Sequence, residues 1–356
     1  MLTPQQFREI VSGRRRGITA GLWRVLLGIA EYPYSWEVRR RNHHYDSGKM
    51  EVHRVDVPVI SVGNITMGGT GKTPMVQWLA RWFRDRNVRV CLISRGYGAE
   101  EGSRNDEALE LEQKLPDVPH VQNPDRVAAA KMAIEEFNTQ LIILDDAFQH
   151  RRIHRDLDIV LVDAIEPFGF ERVFPRGTLR EPLRGLQRAD IVALTRADMM
   201  DAPGRFEIRG QVERFHADVP WLELTHAPQA LLAADEARQP INSLRQKPVA
   251  AFSAIGNPAG FRHTLEQCDF VIDEWREFPD HHNFTREDID SLRQWAADSN
   301  AEAVVCTHKD LVKIGLERLG ELPLWAVEIG MQFIYGQQQL EEHLQPLLGR
   351  VQTPES

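Results

Sequence analysis

The sequence pattern with the clearest chemistry is residues 63–74, where a glycine-rich turn follows the apolar segment 57–62 and precedes a helical pattern. This order of strand, glycine loop and helix is typical of loops that bind nucleotide phosphates. Glycines let backbone N–H groups approach phosphate oxygens, Lys72 can reach the terminal phosphates, and the Thr73 hydroxyl can ligate Mg²⁺. The strict motif has glycine where this chain has Thr66. We predict a nucleotide-binding loop made of Thr66, Met67, Gly68, Gly69, Thr70, Gly71, Lys72 and Thr73.

A second pattern places two carboxylates at the end of a predicted strand. Four apolar residues, 141–144, are followed by Asp145 and Asp146. An Asp at a strand end beside a phosphate loop can hold the Mg²⁺ shell, as a Walker B acid does. The alternative is a turn with two solvated acids.

Phosphoryl transfer to an alcohol also requires a general base within hydrogen-bond reach of the hydroxyl. Asp106 and the pair His281 and His282 are the best candidates, because a carboxylate that orients a histidine gives a dyad able to take a proton near neutral pH. For His281 alone, a structural or surface histidine is the competing interpretation.

The elements that position these residues alternate between strand and helix patterns. Strands are predicted at 57–62, 88–93, 141–144, 159–162 and 191–194, and a helix at 124–137 capped by Asn123. We therefore predict an α/β fold of the P-loop NTPase type, a mostly parallel sheet with helices on both faces. A smaller second α/β unit is predicted from strands at 248–252 and 303–307 and a helix near 286–297. The predicted division is an N-terminal segment 1–41, a P-loop nucleotide-binding domain 42–240 and a smaller domain 241–356.

Composition narrows the function classes. The chain has 356 residues, 42% of them hydrophobic, and a formal net charge of −9, which argues against a general nucleic-acid binder. Cys91, Cys268 and Cys306 are widely separated, which argues against a disulfide framework and favours a reducing compartment.

The N-terminal segment differs in charge from the rest of the chain, since residues 1–41 contain eight arginines and three glutamates. Its longest uncharged apolar run, 25–30, is far shorter than the roughly 20 residues that span a bilayer. Arginines flanking an aromatic and leucine-rich stretch suit an amphipathic, membrane-associating helix at the lipid surface. A helix docked on the core with its arginines outside fits the sequence equally well.

Seven ordered motifs give the chain a family resemblance. They are 63–74, 94–98, 106–107, 145–150, 175–181, 278–281 and 307–310. In this order they resemble the tetraacyldisaccharide 4′-kinases, which phosphorylate the lipid A precursor. The resemblance implies transfer from ATP, with Mg²⁺, to the 4′-hydroxyl of a tetraacylated glucosamine disaccharide 1-phosphate. It also implies a peripheral enzyme at the cytoplasmic face of the inner membrane, with that lipid and the membrane surface as partners and no obligate protein partner.

The resemblance also assigns roles to individual residues. It implies that Asp106 is the catalytic base, His281 its partner, and Asp145 and Asp146 the Walker B acids. Further roles concern metal and substrate: Glu181 would join the Mg²⁺ shell, Arg180 would face the lipid's phosphate, and Tyr97, Gln149 and His150 would lie at the substrate. Three positions depart from the family pattern: Asn105, Ala147 and His308.

Two other classes compete with a kinase. A regulatory P-loop GTPase or metallochaperone-like NTPase is weakly suggested by 195–198 and 307–310, which resemble a guanine-reading loop. No Asp-x-x-Gly follows the Walker B strand, where a switch requires it. A membrane scaffold that only binds nucleotide would not need Asp106 or His281.

Overall fold

Strands and helices alternate along most of the chain in a computed structural model that describes residues 3–96, 111, 114–235, 237–280 and 282–352. The strands are β1 (Val59–Asn64), β2 (Val90–Ser94), β3 (His120–Gln122), β4 (Leu141–Asp145), β5 (Leu157–Asp163), β6 (Ile191–Thr195), β7 (Trp221–Leu232), β8 (Arg238–Pro240), β9 (Pro248–Ser253), β10 (Val271–Glu277), β11 (Ala303–Thr307), β12 (Arg318–Leu319) and β13 (Leu322–Tyr335). The helices are α1 (Pro4–Val11), α2 (Ile18–Asp46), α3 (Lys72–Arg84), α4 (Arg126–Phe137), α5 (Ala202–Glu213), α6 (Pro258–Gln267), α7 (Arg286–Asp298), α8 (His308–Ile314) and α9 (Gln337–Gln352).

The described residues form two compact units. The first contains 3–96, 115–225 and 333–352, and the second contains 111, 114, 226–235, 237–280 and 282–332. These units differ from the predicted segments 42–240 and 241–356, because the chain returns to the first unit at Phe333, within β13. Helix α9 stays there through the buried side chains of Leu340 and Leu344 and an ion pair of 2.6 Å between Arg350 and Asp156.

The first unit contains a parallel run of strands in the order β6-β5-β1-β4-β2-β3. β1 lies between β4 and β5, so its carboxyl end is flanked by the ends of both neighbours. Ile142 and Leu144 pack with Ala129 and Ala133 of α4, while α3 contacts β1, β2 and β4. The predicted mostly parallel α/β fold is confirmed.

The second unit repeats this architecture on a smaller scale. Its parallel strands follow the order β10-β9-β11-β13, and the short β12 is antiparallel to β13. Phe261 of α6 packs with Ala251, whereas Leu292 of α7 packs with Phe252, and these successive strand residues point to opposite faces. Strand β11 and helix α7 lie where the sequence predicts them.

The N-terminal segment forms two helices, α1 and the 29-residue α2. One side of α2 is docked, with Ala20, Ser35 and Val38 buried. The other side carries exposed apolar side chains, including Ile18, Leu22, Val25, Ile29, Tyr32 and Trp36. No helix among the described residues is long and apolar enough to cross a membrane. Because α2 exposes a continuous apolar stripe at helical spacing, it is not an ordinary core helix.

Helix α4 begins two residues later than predicted, and its cap is Asp125 instead of Asn123. The Asp125 side chain accepts hydrogen bonds from the N–H groups of Val127 and Ala128, at 3.1 and 3.3 Å. Asn123 instead accepts from the Asp125 N–H at 2.9 Å. Two residues able to cap a helix, separated by Pro124, compete at this end, and Asp125 caps it because its side chain reaches the N–H groups of the first turn. This places Arg126 at the first helical position.

Candidate active site

The nucleotide loop connects the carboxyl end of β1 to the start of α3, as the sequence predicts. Gly71 precedes the helix with φ +77°, a conformation that glycine adopts without steric cost. At the other end, a Cβ on Gly63 would lie 2.6 Å from the Cβ of Phe148, so only glycine permits this close approach. The loop thereby places Lys72 and Thr73 in the first turn of α3, where the helix dipole favours anions.

The segment 174–182 is a loop paired with the nucleotide loop. The Met67 N–H donates to the Thr178 carbonyl at 2.7 Å, and the Arg180 N–H donates to the Ile65 carbonyl at 2.8 Å. These backbone bonds hold Arg180 and Glu181 beside the phosphate loop, although 107 or more residues separate them from Thr73 in the sequence.

Three predicted site residues form an ion-pair cluster at this position. The Asp146 carboxylate lies 2.7 Å from a guanidinium nitrogen of Arg180 and 3.5 Å from Lys72 Nζ. Burial alone would raise the pKa of Asp146, but the charges of Lys72 and Arg180 hold it below its usual value. Asp146 is therefore ionised at neutral pH and holds both cations next to the phosphate loop.

The donor set at the end of β4 fits Mg²⁺. Asp145 is buried at the strand's last position, and the Thr73 hydroxyl is carried by the first turn of α3. Among the described residues there is no group of three or more His, Cys, Asp or Glu side chains arranged around a metal position. Mg²⁺ commonly needs only one or two carboxylates, with phosphate and water oxygens completing its shell. The residues present thus suit Mg²⁺ bound together with a nucleotide.

Glu181 is fully engaged with neighbouring side chains. Both of its carboxylate oxygens accept hydrogen bonds from Arg188, at 2.8 and 2.9 Å. Gln149 donates to one oxygen and Asn42 of α2 donates to the other, each at 3.0 Å. The metal role implied for Glu181 is untested, and this arrangement favours a structural role, because a metal ion would have to displace the half-buried Arg188.

Replacing Glu181 with Gln tests whether this carboxylate stabilises the fold through Arg188 or binds Mg²⁺. The change removes the charge of the buried Glu181 and leaves the half-buried Arg188 without its counter-charge, so we expect the free energy of unfolding to fall by about 3 kcal/mol. We expect the Mg²⁺ concentration for half-maximal activity to stay within about twofold of the parent, because the carboxylate is committed to Arg188. Denaturant titration and a Mg²⁺ titration measure the two quantities, and Glu207→Gln on an exposed position of α5 is the matched control. A tenfold rise in required Mg²⁺ with unchanged stability would instead assign Glu181 to the metal.

Gln149 and His150 lie in the turn after β4. Gln149 donates to the Asn64 carbonyl at 2.8 Å as well as to Glu181, so it ties the turn to β1. Burial, followed by the charges of Arg126, Arg152 and Arg155, lowers the pKa of His150 to about 4. His150 is therefore neutral at pH 7. Its role and that of Gln149 toward substrate stay predictions.

The structure describes two of the three positions that depart from the family pattern, Ala147 and His308. Ala147 is fully buried, and the left-handed conformation in this turn falls on Asp146, with φ +53°. Alanine at 147 therefore needs no strained backbone. His308 is buried at the start of α8. Three predicted site residues, Tyr97, Asp106 and His281, lie outside the described residues, as does Asn105.

One charged residue near the site was not predicted from the sequence. Arg126 is only 3% exposed, and burial lowers its pKa, with the charges of Asp146 and Asp145 opposing this shift and that of Arg95 adding to it. A cation at the start of a helix is disfavoured by the helix dipole. An arginine directly after a capping Asp is thus a sequence signal of a charge held there for another purpose.

Comparisons with known proteins agree with this geometry. A family model described as tetraacyldisaccharide-1-P 4′-kinase matches residues 23–349. A tetraacyldisaccharide 4′-kinase of Anaeromyxobacter dehalogenans (strain 2CP-C) is 38% identical over 318 residues, 84% of either chain. The Geobacter sulfurreducens protein of the same name is 36% identical over 344 residues, 92% of this chain and 94% of its own.

Structural similarity extends over nearly the same length. The crystal structure of LpxK from Aquifex aeolicus in complex with ATP superposes with a TM-score of 0.73 at 30% identity, covering 92% of this chain and 99% of that one. The nucleotide loop, the β4 carboxylates and the 174–182 loop all fall inside the matched residues. The chain therefore belongs to the tetraacyldisaccharide-1-P 4′-kinase family of enzymes.

Proposed function

We propose that the protein transfers the γ-phosphate of ATP to the 4′-hydroxyl of a tetraacylated glucosamine disaccharide 1-phosphate. The observation that carries the proposal is the cluster of Lys72, Asp146 and Arg180 at the nucleotide loop. Phosphoryl transfer depends on positioning and charge neutralisation, and these side chains provide both. Family membership supplies the acceptor.

Of the two cations in the cluster, Lys72 is the one that can change its partner. Asp146 neutralises Lys72 across 3.5 Å, a distance too long for a strong hydrogen bond. Lys72 is therefore free to turn toward the terminal phosphates while Arg180 keeps Asp146 in place at 2.7 Å. In this proposal Arg180 also faces the phosphate of the lipid.

Thr73, Asp145 and Asp146 are the residues proposed to hold Mg²⁺. When bound, Mg²⁺ neutralises charge on the phosphates and orients them. Asp145 is suited to this task because β4 fixes it beside β1, and Thr73 because α3 fixes its hydroxyl at the loop.

Asp106 and His281 are the proposed acid–base pair. The acceptor hydroxyl must lose a proton as it attacks, and a carboxylate paired with histidine can accept it near neutral pH. Tyr97, Gln149 and His150 complete the proposed substrate side. Because its pKa is about 4, His150 would act there as a neutral hydrogen-bond partner.

Transfer of label from [γ-³²P]ATP to a purified disaccharide 1-phosphate in detergent tests the function. We expect labelled lipid to form only with the acylated acceptor and ATP to be preferred over GTP. ATP hydrolysis without lipid labelling, or a preference for GTP, would contradict the proposal.

The exposed stripe of α2 supports a peripheral location at the membrane surface. The substrate's acyl chains keep it in the bilayer, so the nucleotide loop must come close to that surface. Helix α2 is joined to the site by hydrogen bonds from Asn42 to Glu181 and from Tyr34 to the Arg180 carbonyl. We place this surface at the cytoplasmic face of the inner membrane, where ATP is available.

Changing Arg14, Arg15 and Arg16 together to Ser tests the anchor. All three are exposed, and each arginine near an anionic leaflet contributes about 1 kcal/mol. We expect binding to anionic vesicles at low salt to weaken by roughly two orders of magnitude, with ATP affinity unchanged. Vesicle co-sedimentation over a salt series measures the effect.

The control removes the same charge from exposed positions of the second unit, through Arg245, Arg262 and Arg293 to Ser. We expect that variant to bind vesicles like the parent. If the N-terminal variant binds vesicles normally but melts several degrees lower, the arginines stabilise the fold and the anchor proposal fails.

A further inference from the structure

Helix α1 precedes residue 23, where the family match begins, and yet it is firmly held in the first unit. Ile10 and Val11 are almost completely buried. Arg176 donates a hydrogen bond to the Val11 carbonyl at 3.3 Å, and the ring of Phe7 lies 6.3 Å from that of Phe174. Both Phe174 and Arg176 belong to the loop that pairs with the nucleotide loop, so α1 is fixed relative to the phosphate-binding backbone.

This docking places the Arg8 guanidinium against the nucleotide loop. A Cβ built on Gly68 would lie 3.4 Å from a terminal nitrogen of Arg8. Burial lowers the pKa of Arg196, and the charge of Arg8 lowers it further, so the two guanidinium groups lie close enough to repel. Arg8 is thus held near like charge, which is unfavourable unless an anion joins them.

The two arginines differ in their partners. The Arg196 guanidinium makes a bidentate ion pair with the Asp163 carboxylate, in which one hydrogen bond measures 2.9 Å. It also donates to the Gly69 carbonyl at 3.4 Å. Within the part of the chain that the structure describes, no side-chain hydrogen bond or ion pair involves the Arg8 guanidinium. Arg196 therefore stabilises the nucleotide loop through the Gly69 carbonyl, whereas the charge of Arg8 remains available for a ligand.

We infer that Arg8 binds the phosphates of the nucleotide held by the 66–73 loop, so that a helix outside the family-matched region completes the site. A guanidinium is well suited to this because its planar N–H groups can contact two phosphate oxygens at once. A nucleoside triphosphate is the anion that the adjacent glycine loop and Lys72 also select. The inference rests on the nucleotide site proposed above.

The test compares ATP affinity, measured by titration calorimetry without lipid, in the parent, Arg8→Gln and Arg8→Lys. We expect Arg8→Gln to weaken ATP binding roughly tenfold, the factor equivalent to about 1.4 kcal/mol, and Arg8→Lys to recover part of the loss. The matched control is Arg262→Gln, an exposed arginine of the second unit, which should bind ATP like the parent. Arg8 is itself exposed, so the variants should fold, and thermal melting checks this.

Two outcomes would overturn the inference. If Arg8→Gln binds ATP like the parent, Arg8 does not contact the nucleotide. If it weakens anionic-vesicle binding instead, Arg8 contacts lipid headgroups. Lys72→Ala, measured alongside, separates failure of this inference from failure of the proposed nucleotide site. If Lys72→Ala keeps the parental ATP affinity and activity, the 66–73 loop is not the nucleotide site.

Discussion

Replacing Lys72 with Ala is expected to abolish phosphate transfer, with a loss of roughly 10³-fold or more in kcat. Lys72 lies in the first turn of α3, is only 14% exposed at its side chain, and carries its cation directly after the phosphate-binding loop. The migrating phosphoryl group carries charge that this cation stabilises most in the transition state. Removing it takes away stabilisation that no neighbouring group can supply from the same position.

The fold should tolerate this change. Asp146 keeps its shorter ion pair with Arg180, at 2.7 Å, so no carboxylate is left without a counter-charge. Single-turnover transfer from labelled ATP measures the loss, and thermal melting should show a shift of only a few degrees. Lys131→Ala, an exposed lysine of α4, is the matched control and should retain full activity. Activity of Lys72→Ala within tenfold of the parent would contradict the assignment of the phosphate loop.

The nucleotide loop and the carboxylates after β4 could be predicted because each is specified by residues that are close together in the sequence. The nucleotide loop needs a strand before it, glycines within it and a helix after it, and all of these lie within residues 57–84. Asp145 and Asp146 follow an apolar run of four residues, which is typical of a buried parallel strand. Parallel strands bring such ends to one edge, so sequence order alone brings the two motifs together.

The partners of Glu181 were not predictable in the same way. Asn42 approaches Glu181 from α2 across 139 positions of sequence, and Arg188 folds back through a short helical turn to reach it. The hydrophobic periodicity of α2 does not predict the contact between Asn42 and Glu181, because that contact depends on how α2 packs against the first unit. The same holds for Arg8, whose neighbour Gly68 is set by the burial of Ile10 and Val11.

The domain boundaries also depended on contacts between distant segments. A composition shift suggests where a second unit starts, but the return of the chain to the first unit is decided by α9. Its apolar residues Leu340 and Leu344 become buried there, and Phe333 packs against Trp78 with ring centroids 5.0 Å apart. A helical pattern predicts such a buried face without indicating which unit covers it.

The second large expected effect concerns the proposed dyad of Asp106 and His281. Asp106→Ala and His281→Ala should each lower kcat by about 10²-fold or more, while ATP affinity changes little, because both remove proton transfer and leave the phosphate loop intact. Rapid-quench measurement of lipid phosphorylation gives kcat, and calorimetry gives the ATP affinity. Asp218→Ala and His343→Ala, at exposed positions away from the nucleotide loop, are the matched controls and should keep the parental kcat.

The double variant decides whether the two residues act as one unit. If Asp106 orients and charges His281, then losing either partner disables the same proton acceptor, and the second change costs little more. We therefore expect Asp106→Ala/His281→Ala to be about as slow as the slower single variant. Strictly multiplicative losses, near 10⁴-fold, would show that the two residues act independently and would refute the dyad.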